Sequence, residues 1–336
     1  MTTAEAARDE LDAVAAATKA GDESAFAALA ERYQRELQVH CYRMLGSFED
    51  SEDLAQETLL RAWRKRATFR GTSSFRAWLY RIATNACLDV LKRRPRNAGA
   101  SKGEVFEVPW LQPYPDRLLD DIPAPDAEPE AAVVSKETIE LAFIVAIQQL
   151  TPNQRAALIL RDVLGWPAKD AAELLETSVA SVNSALQRAR AGLQRYLPQR
   201  RLEWEAGADP SREERELLQR YLDATEQADA DAFIELMRED ARFAMPPEPE
   251  LYVGRETIVN AWKEGGAFDV NQLGHMRGVI TRANMQPAMA NYLKRPGDSE
   301  YALIALDVLR IEHGAIAEIL AFPPDQLRAF EVPQTL

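Results

Sequence analysis

The chain has 336 residues, with 40 Lys and Arg against 53 Asp and Glu, a formal charge of -13. At about 150 residues per domain this length suits two or three domains, and 46% apolar with 28% charged residues excludes a disordered or fibrous chain. No run approaches the ~20 apolar residues of a membrane span, residues 1–11 lack the pattern of a signal peptide, and two distant cysteines, Cys41 and Cys87, exclude a disulfide framework, so a reduced, cytoplasmic protein with two core thiols is expected.

The charge is unevenly spread. Residues 1–95 carry net +1, residues 96–137 net -5, residues 138–200 net +2 and residues 201–336 net -11. Two near-neutral blocks flank an acidic linker, and an acidic block follows. Lys and Arg contacts to phosphate supply most non-specific DNA affinity, so this chain alone is a poor DNA binder. If it reads DNA, a large basic partner should supply the affinity.

Residues 22–94 read as helix after helix. Ser51 to Lys65 carries Leu54, Ala55, Leu59, Ala62 and Trp63 at helical spacing, with Asp53, Gln56, Glu57 and Leu60 on the other face. Gly71 to Ser74 is a loop, and Ser73 or Ser74 can cap the helix that follows. That helix runs from Phe75 to about Arg94, with Trp78, Leu79, Ile82, Ala83, Ala86, Cys87 and Val90 on one face, and Pro95 ends it. Residues 96–137 hold six prolines and read as an extended linker. Val108 to Pro115 is an apolar, aromatic island within it, either a docking peptide or a local clasp.

Residues 136–197 are helical again. Thr151 is an N-cap, Pro152 takes the first helical position and Leu150 is placed as a staple, with the helix reaching Asp162 or Val163. Pro167 to Leu175, a turn at Glu176-Thr177, and Ser178 to about Tyr196 have the form of a helix-turn-helix, although an ordinary helical hairpin shows the same pattern. Val182, Leu186, Ala189 and Leu193 make the inward stripe. Ser181, Asn183, Ser184, Gln187, Arg188 and Arg190 lie outward. Beyond residue 210, helices at Arg212–Glu226 and Ala230–Met237 precede short apolar runs at Ala241–Met245, Met276–Thr281, Pro287–Leu293, Tyr301–Ile311 and Ile316–Phe322. They predict an α+β domain of two helices and a curved antiparallel sheet.

Several motifs stand in a fixed order. They are His40-Cys41-Tyr42-Arg43-Met44, Glu52 to Thr58, Phe69-Arg70-Gly71, Trp78 to Asn85, Leu150-Thr151-Pro152 with Arg155, and Val182-Asn183-Ser184 through Gln187 to Arg190. On these the first two hundred residues resemble the extracytoplasmic-function class of bacterial sigma-70 factors, which carry sigma-2 and sigma-4 domains. The resemblance implies all-α sigma-2 (20–95) and sigma-4 (136–200) domains around a linker (96–135).

It also implies roles. Asp53, Gln56, Glu57 and Leu60 would meet the beta-prime clamp of the RNA polymerase core, with the beta flap a second core contact. Phe69, Ser73, Ser74, Trp78, Arg81 and Asn85 would bind the -10 element, one base of which is flipped into a pocket, and Lys92, Arg93 and Arg94 would hold phosphate. Trp78 reads equally well as core. The second helix of the helix-turn-helix would enter the major groove of the -35 element through Ser181, Asn183, Ser184, Gln187, Arg188 and Arg190. Asn183 and Ala185 stand where many members have basic residues, which leaves the bases read open.

Residues 210–330 resemble, more weakly, the SnoaL-like branch of the NTF2-like fold, through the helix pair, Phe243, Gly254, Leu306 to Arg310 and His313 to Ile316. Trp110, Leu111 and Pro113 look like a variant of the linker motif of sigma factors with this extension. The function implied is an alternative sigma factor modulated in cis by its C-terminal domain. A small-molecule sensor is the alternative, its pocket lined by Phe243, Met245, Tyr252, Trp262 and Met276 or packed shut. An isomerase or cyclase would have to use Asp307 or His275. Neither a metal-ligand cluster, a phosphate loop nor a nucleophile motif is present, and no catalysis, cofactor, metal or membrane contact is expected. The expected partners are polymerase core, promoter DNA and a small ligand in that pocket.

Overall fold

Capping residues set the limits of the N-terminal helices in this computed structural model, which describes residues 17–69, 74–94, 106–120, 138–197 and 212–336. Helix α1 (Glu23–Leu45) starts where the Asp22 carboxylate accepts from the Ala25 amide, and it stops at Gly46, whose φ of 71° suits glycine. Helix α2 (Phe48–Lys65) follows at once, capped by Ser47. Helix α3 (Phe75–Arg93) starts at Ser74, whose hydroxyl accepts from the Ala77 amide. Ser73 lies outside the described residues, as do Arg70, Gly71 and most of the linker.

The apolar faces bury much as their spacing predicts. Ala55, Leu59, Ala62, Leu79, Ala83, Ala86 and Cys87 are buried, while Leu54, Trp63, Trp78, Ile82 and Val90 are half-buried. A polar seam also runs between α1 and α3. His40 Nε2 lies 2.9 Å from Thr84 Oγ1, and the Tyr80 hydroxyl donates to Glu36 at 2.7 Å. Burial, then the charges of Arg43 and Arg76, pushes His40 down to about 3. Cys41 and Cys87 are buried free thiols, and burial together with contact between them raises Cys87 well above the usual range.

The second helical group has helices α4 (Leu141–Gln148), α5 (Pro152–Leu158), α6 (Ala168–Leu174) and α7 (Val179–Tyr196). Thr151 and Gln154 form a reciprocal capping box at α5, which widens into a π-helical turn over Ile159–Val163. Glu176, at φ 52°, turns the chain from α6 into α7. Val182, Leu186, Ala189 and Leu193 are buried as a stripe. Both helical groups belong to one compact unit, residues 1–96 with 117–206; a second unit joins residues 97–116 to 207–336.

In the second unit, helices α8 (Arg212–Gln227) and α9 (Ala230–Leu236) precede strands β1 (Met237–Ala244), β2 (Leu251–Val253), β3 (His275–Ala283), β4 (Gln286–Lys294), β5 (Ala302–Glu312) and β6 (Ala315–Phe322), in sheet order β2-β1-β6-β5-β4-β3. Two expectations are corrected. The sheet is mixed, because β6 returns beside β1 in the same direction after the antiparallel meander of β3 to β5. A third helix, α10 (Arg255–Glu264), follows β2, launched by Gly254 at φ 95° and fixed by fully buried Ile258 and Val259. Gly278 lets α8 press onto β3; a Cβ there would lie 2.4 Å from Leu222 Cδ1.

Candidate polymerase, promoter and ligand sites

Asp53, Gln56, Glu57 and Leu60 sit at i, i+3, i+4 and i+7 of α2, so they share one face. Asp53 and Gln56 are exposed, Glu57 pairs with Arg61 at 2.7 Å, and Leu60 is 51% exposed. An apolar side chain left in water among carboxylates suits a partner that is basic with an apolar patch.

The -10 candidates lie along α3. Phe69, Phe75 and Trp78 form a ring cluster with centroids 5.4–5.5 Å apart, so Trp78 is both partly packed and partly accessible. Arg81 and Asn85, three and seven residues beyond Trp78, are half-buried on the same side. Arg81 Nη2 donates to Glu176 at 2.7 Å. A cavity of about 390 Å3 separates α3 from α6, with Trp78 and Arg81 on one wall and Trp166, Asp170 and Glu173 on the other. Of the expected phosphate cluster, Arg93 is exposed and Lys92 pairs with Asp89 at 3.2 Å. Arg94 points inward instead, donating to the Leu45 carbonyl at 3.1 Å and pairing with Asp50. It fastens α3 to the α1–α2 corner.

All six -35 candidates on α7 are exposed: Ser181, Asn183, Ser184, Gln187, Arg188 and Arg190. Arg190 forks onto Asp162 with bonds of 2.8 and 2.7 Å. Arg155 has a deeper role. Only 3% exposed, it donates to the Met44 carbonyl, to Gln148 Oε1 at 2.5 Å, to the Gln148 carbonyl at 2.8 Å and to the Leu150 carbonyl at 3.3 Å. Burial, with the Arg94 charge adding to it, brings its pKa down to about 9, so it stays a cation at neutral pH. It ties the end of α1 to the start of α5.

The linker island is an integral part of the second unit. Asn284 and Tyr114 exchange two bonds, Tyr114 N–H to Asn284 Oδ1 at 2.7 Å and Asn284 N–H to the Tyr114 carbonyl at 2.9 Å. Asp116 accepts from the Met285 amide at 2.7 Å and from Arg282 at 3.1 Å. Asn284 and Met285 both have positive φ, so the tight turn between β3 and β4 presents these groups outward. Leu111 and Tyr114 are fully buried and Pro113 is buried, whereas Trp110 is half-buried. Leu111 and Tyr114, more than Trp110, are the anchors.

The second unit also holds a partly open cavity of about 160 Å3 between α8, α9, α10 and the sheet. Phe243, Met245, Trp262 and Met276 line it as the sequence predicts; Tyr252 is not among its lining residues and packs on Phe243, its cross-strand partner, at 6.0 Å. Asp307 stands mid-strand on its floor. Its Oδ2 accepts from the Tyr221 hydroxyl at 2.9 Å and from Asn291 Nδ2 at 2.7 Å. Burial pushes the Asp307 carboxyl up to about 6, with those two bonds opposing. Asn291, which the sequence reading did not single out, marks the bulge in β4. His275 opens β3, exposed and away from the cavity.

Comparison with known proteins fits this arrangement. Residues 29–97 match the Sigma-70 region 2 family, residues 140–193 Sigma-70 region 4, and residues 218–319 the SnoaL-like domain. The ECF RNA polymerase sigma factor SigG of Mycobacterium tuberculosis is 42% identical over 309 residues, covering 88% of this chain and 80% of that protein. The chain belongs to the ECF family of RNA polymerase sigma factors. It is thus an alternative sigma factor, directing RNA polymerase in transcription initiation. ECF sigma factor SigJ of the same organism is 30% identical over 74% of this chain and 78% of its own length. The crystal structure of SigJ has the same fold, with a TM-score of 0.58 at 22% identity, covering 91% of this chain and all of that one. Among the described residues of this sigma factor, no helix is long and apolar enough to cross a membrane and no group of three metal-ligating side chains occurs.

Proposed function

We propose that the sigma-2 and sigma-4 domains hold each other closed in the free protein, and that polymerase core and promoter bind the opened form. The Arg81–Glu176 pair, at 2.7 Å, carries this reading. It joins a -10 candidate to the turn of the helix-turn-helix. The -10 and -35 elements are about 25 base pairs apart, or ~85 Å at ~3.4 Å per base pair. Both elements cannot be read while Arg81 touches Glu176. The acidic wall of Asp170, Glu173 and Glu176 also stands where phosphate would have to enter. In the open form α2 meets the beta-prime clamp through Asp53, Gln56, Glu57 and Leu60, α3 takes the -10 element through Phe69, Trp78, Arg81 and Asn85, and α7 takes the -35 element.

The C-terminal domain acts in cis, because it grips the segment that links sigma-2 to sigma-4. Its cavity is the place for a small ligand to bias that grip.

The test is a distance. Asp89→Cys and Gln187→Cys label α3 and α7, since the two native cysteines are buried. Energy transfer between the dyes is expected to be high in the free protein and to collapse on adding core enzyme and promoter. High transfer in a complex that initiates transcription would refute the closed-to-open reading.

A further inference from the structure

The cavity floor carries one carboxylate, Asp307. Asp307 lines the cavity and spends Oδ2 on Tyr221 and Asn291, which leaves Oδ1 outside those two bonds. Asn291 is 3% exposed, and its Oδ1 has no hydrogen-bond partner. The Tyr221 hydroxyl and one N–H of Asn291 Nδ2 are already committed to Asp307. The free oxygen of the Asp307 carboxylate is therefore the strongest acceptor the floor offers. No Lys, Arg or His lines the cavity, so a charged Asp307 has no cation beside it. A buried carboxylate without a counter-charge is costly, and an orphaned buried amide oxygen adds to the cost.

The walls are apolar and aromatic. Trp262 meets Phe233 and Phe243 edge to face, at 5.3 and 5.2 Å, and Phe268 completes the group. Such rings attract a desolvated cation. A cavity of ~150 Å3 accepts a benzene-sized body, and this one measures about 160 Å3. Residues 201–336 carry net -11, which favours a cation and disfavours an anion at the approach.

We infer that the C-terminal cavity binds a small lipophilic amine, a single-ring or similarly compact body whose ammonium group donates to Asp307 Oδ1. The inference rests on the reading of this cavity as a ligand site and names the ligand's chemistry. An alcohol could donate to the same oxygen but would leave the carboxylate charge uncompensated. A carboxylic acid would bring a second negative charge.

The experiment is titration calorimetry on the full-length protein at pH 7.5, with benzylamine, benzyl alcohol, toluene and benzoate as probes of one ring size. Benzylamine should bind saturably and about tenfold more tightly than benzyl alcohol, the difference between a charge-assisted and a neutral hydrogen bond. Toluene should bind more weakly still, and benzoate not measurably. Asp307→Asn keeps the shape and removes the charge, and should erase the preference for the amine. Ala305→Leu fills the cavity from β5 with Asp307 retained, and should abolish binding of all probes. Circular dichroism checks that both variants fold. Equal binding of amine and alcohol, an amine preference that survives Asp307→Asn, or no saturable binding of any probe overturns the inference. No polymerase is present, so these results leave the closed-to-open reading to its own distance test.

Discussion

Asp307→Asn should raise the stability of the C-terminal unit, and the reasoning can be followed in numbers. The folded unit holds the carboxyl at about 6, against 3.8 for a carboxyl free in water. Folding therefore favours the protonated form, and the stability contributed by the neutral acid is fully present below pH 3.8 and lost as pH rises through 6. Roughly two pKa units at 1.36 kcal/mol each give a loss of about 3 kcal/mol at neutral pH, about half of it between pH 5 and 8. Asparagine keeps an oxygen for Tyr221 and Asn291 and carries no charge to desolvate. For a unit of roughly 150 residues, ~3 kcal/mol corresponds to a rise of roughly 6–12 °C in its melting temperature. Calorimetric melts of wild type and variant at pH 5, 6, 7 and 8 measure this. The C-terminal transition of the wild type should fall with pH and that of the variant should run flatter and higher. If the variant melts at or below the wild type at pH 8, the buried carboxyl is not the liability described, and the cavity floor must be differently paired.

The first unit should show the opposite pH response. His40 is held at about 3, below the ~6.5 of an unfolded chain. Its contribution is present above pH 6.5 and lost as pH falls toward 3, and acid titration of the His40→Gln variant should show a shallower decline. Asn85→Ala should cut promoter opening, read by permanganate footprinting, with core affinity intact, whereas Glu57→Arg should weaken core binding by native gel; equal loss of core affinity in both would sink the assignment. Glu176→Ala should raise free-protein affinity for fork DNA only a few-fold, because a partly exposed ion pair is worth ~1 kcal/mol or less. Leu111→Ser should make the segment around residues 106–116 markedly more sensitive to limited proteolysis and alter the initiation rate on a fixed promoter; unchanged cleavage would show that Leu111 is not an anchor.

Local chemistry explains which parts could be read ahead. Ser74, Thr151, Pro152 and Ser178 mark helix starts by side chain or ring geometry alone, and the stripe from Val182 to Leu193 needs only the 3.6-residue period. Helix α10 was missed because Arg255–Glu264 has one short apolar patch, Ile258, Val259 and Trp262, and its start depends on a positive-φ glycine. The parallel pairing of β1 with β6 is a long-range choice that no local pattern encodes. The same holds for Arg94, which reads as a phosphate contact beside Lys92 and Arg93 until Asp50 and the Leu45 carbonyl come into reach. Trp110 drew attention by its size, whereas depth of burial belongs to Leu111 and Tyr114. Asp307 was visible as a candidate; Asn291, which supplies the orphaned oxygen, sits in an apolar strand and gave no signal beyond being polar there.

The C-terminal unit is assembled from two stretches of chain, 97–116 and 207–336. In effect the sigma-4 helices are an insertion between two pieces of another module. A stop codon after residue 206 therefore does not detach a self-contained appendage. It amputates the larger piece and strands the smaller, uncovering Val108, Leu111 and Tyr114, which are fully buried in the intact protein. Such a fragment carries a new adhesive patch between its two DNA-reading domains, and its behaviour would mix the loss of a regulator with the gain of an aggregation site. Removing 97–116 together with 207–336, and bridging the gap with a polar spacer, is the cut that respects the architecture.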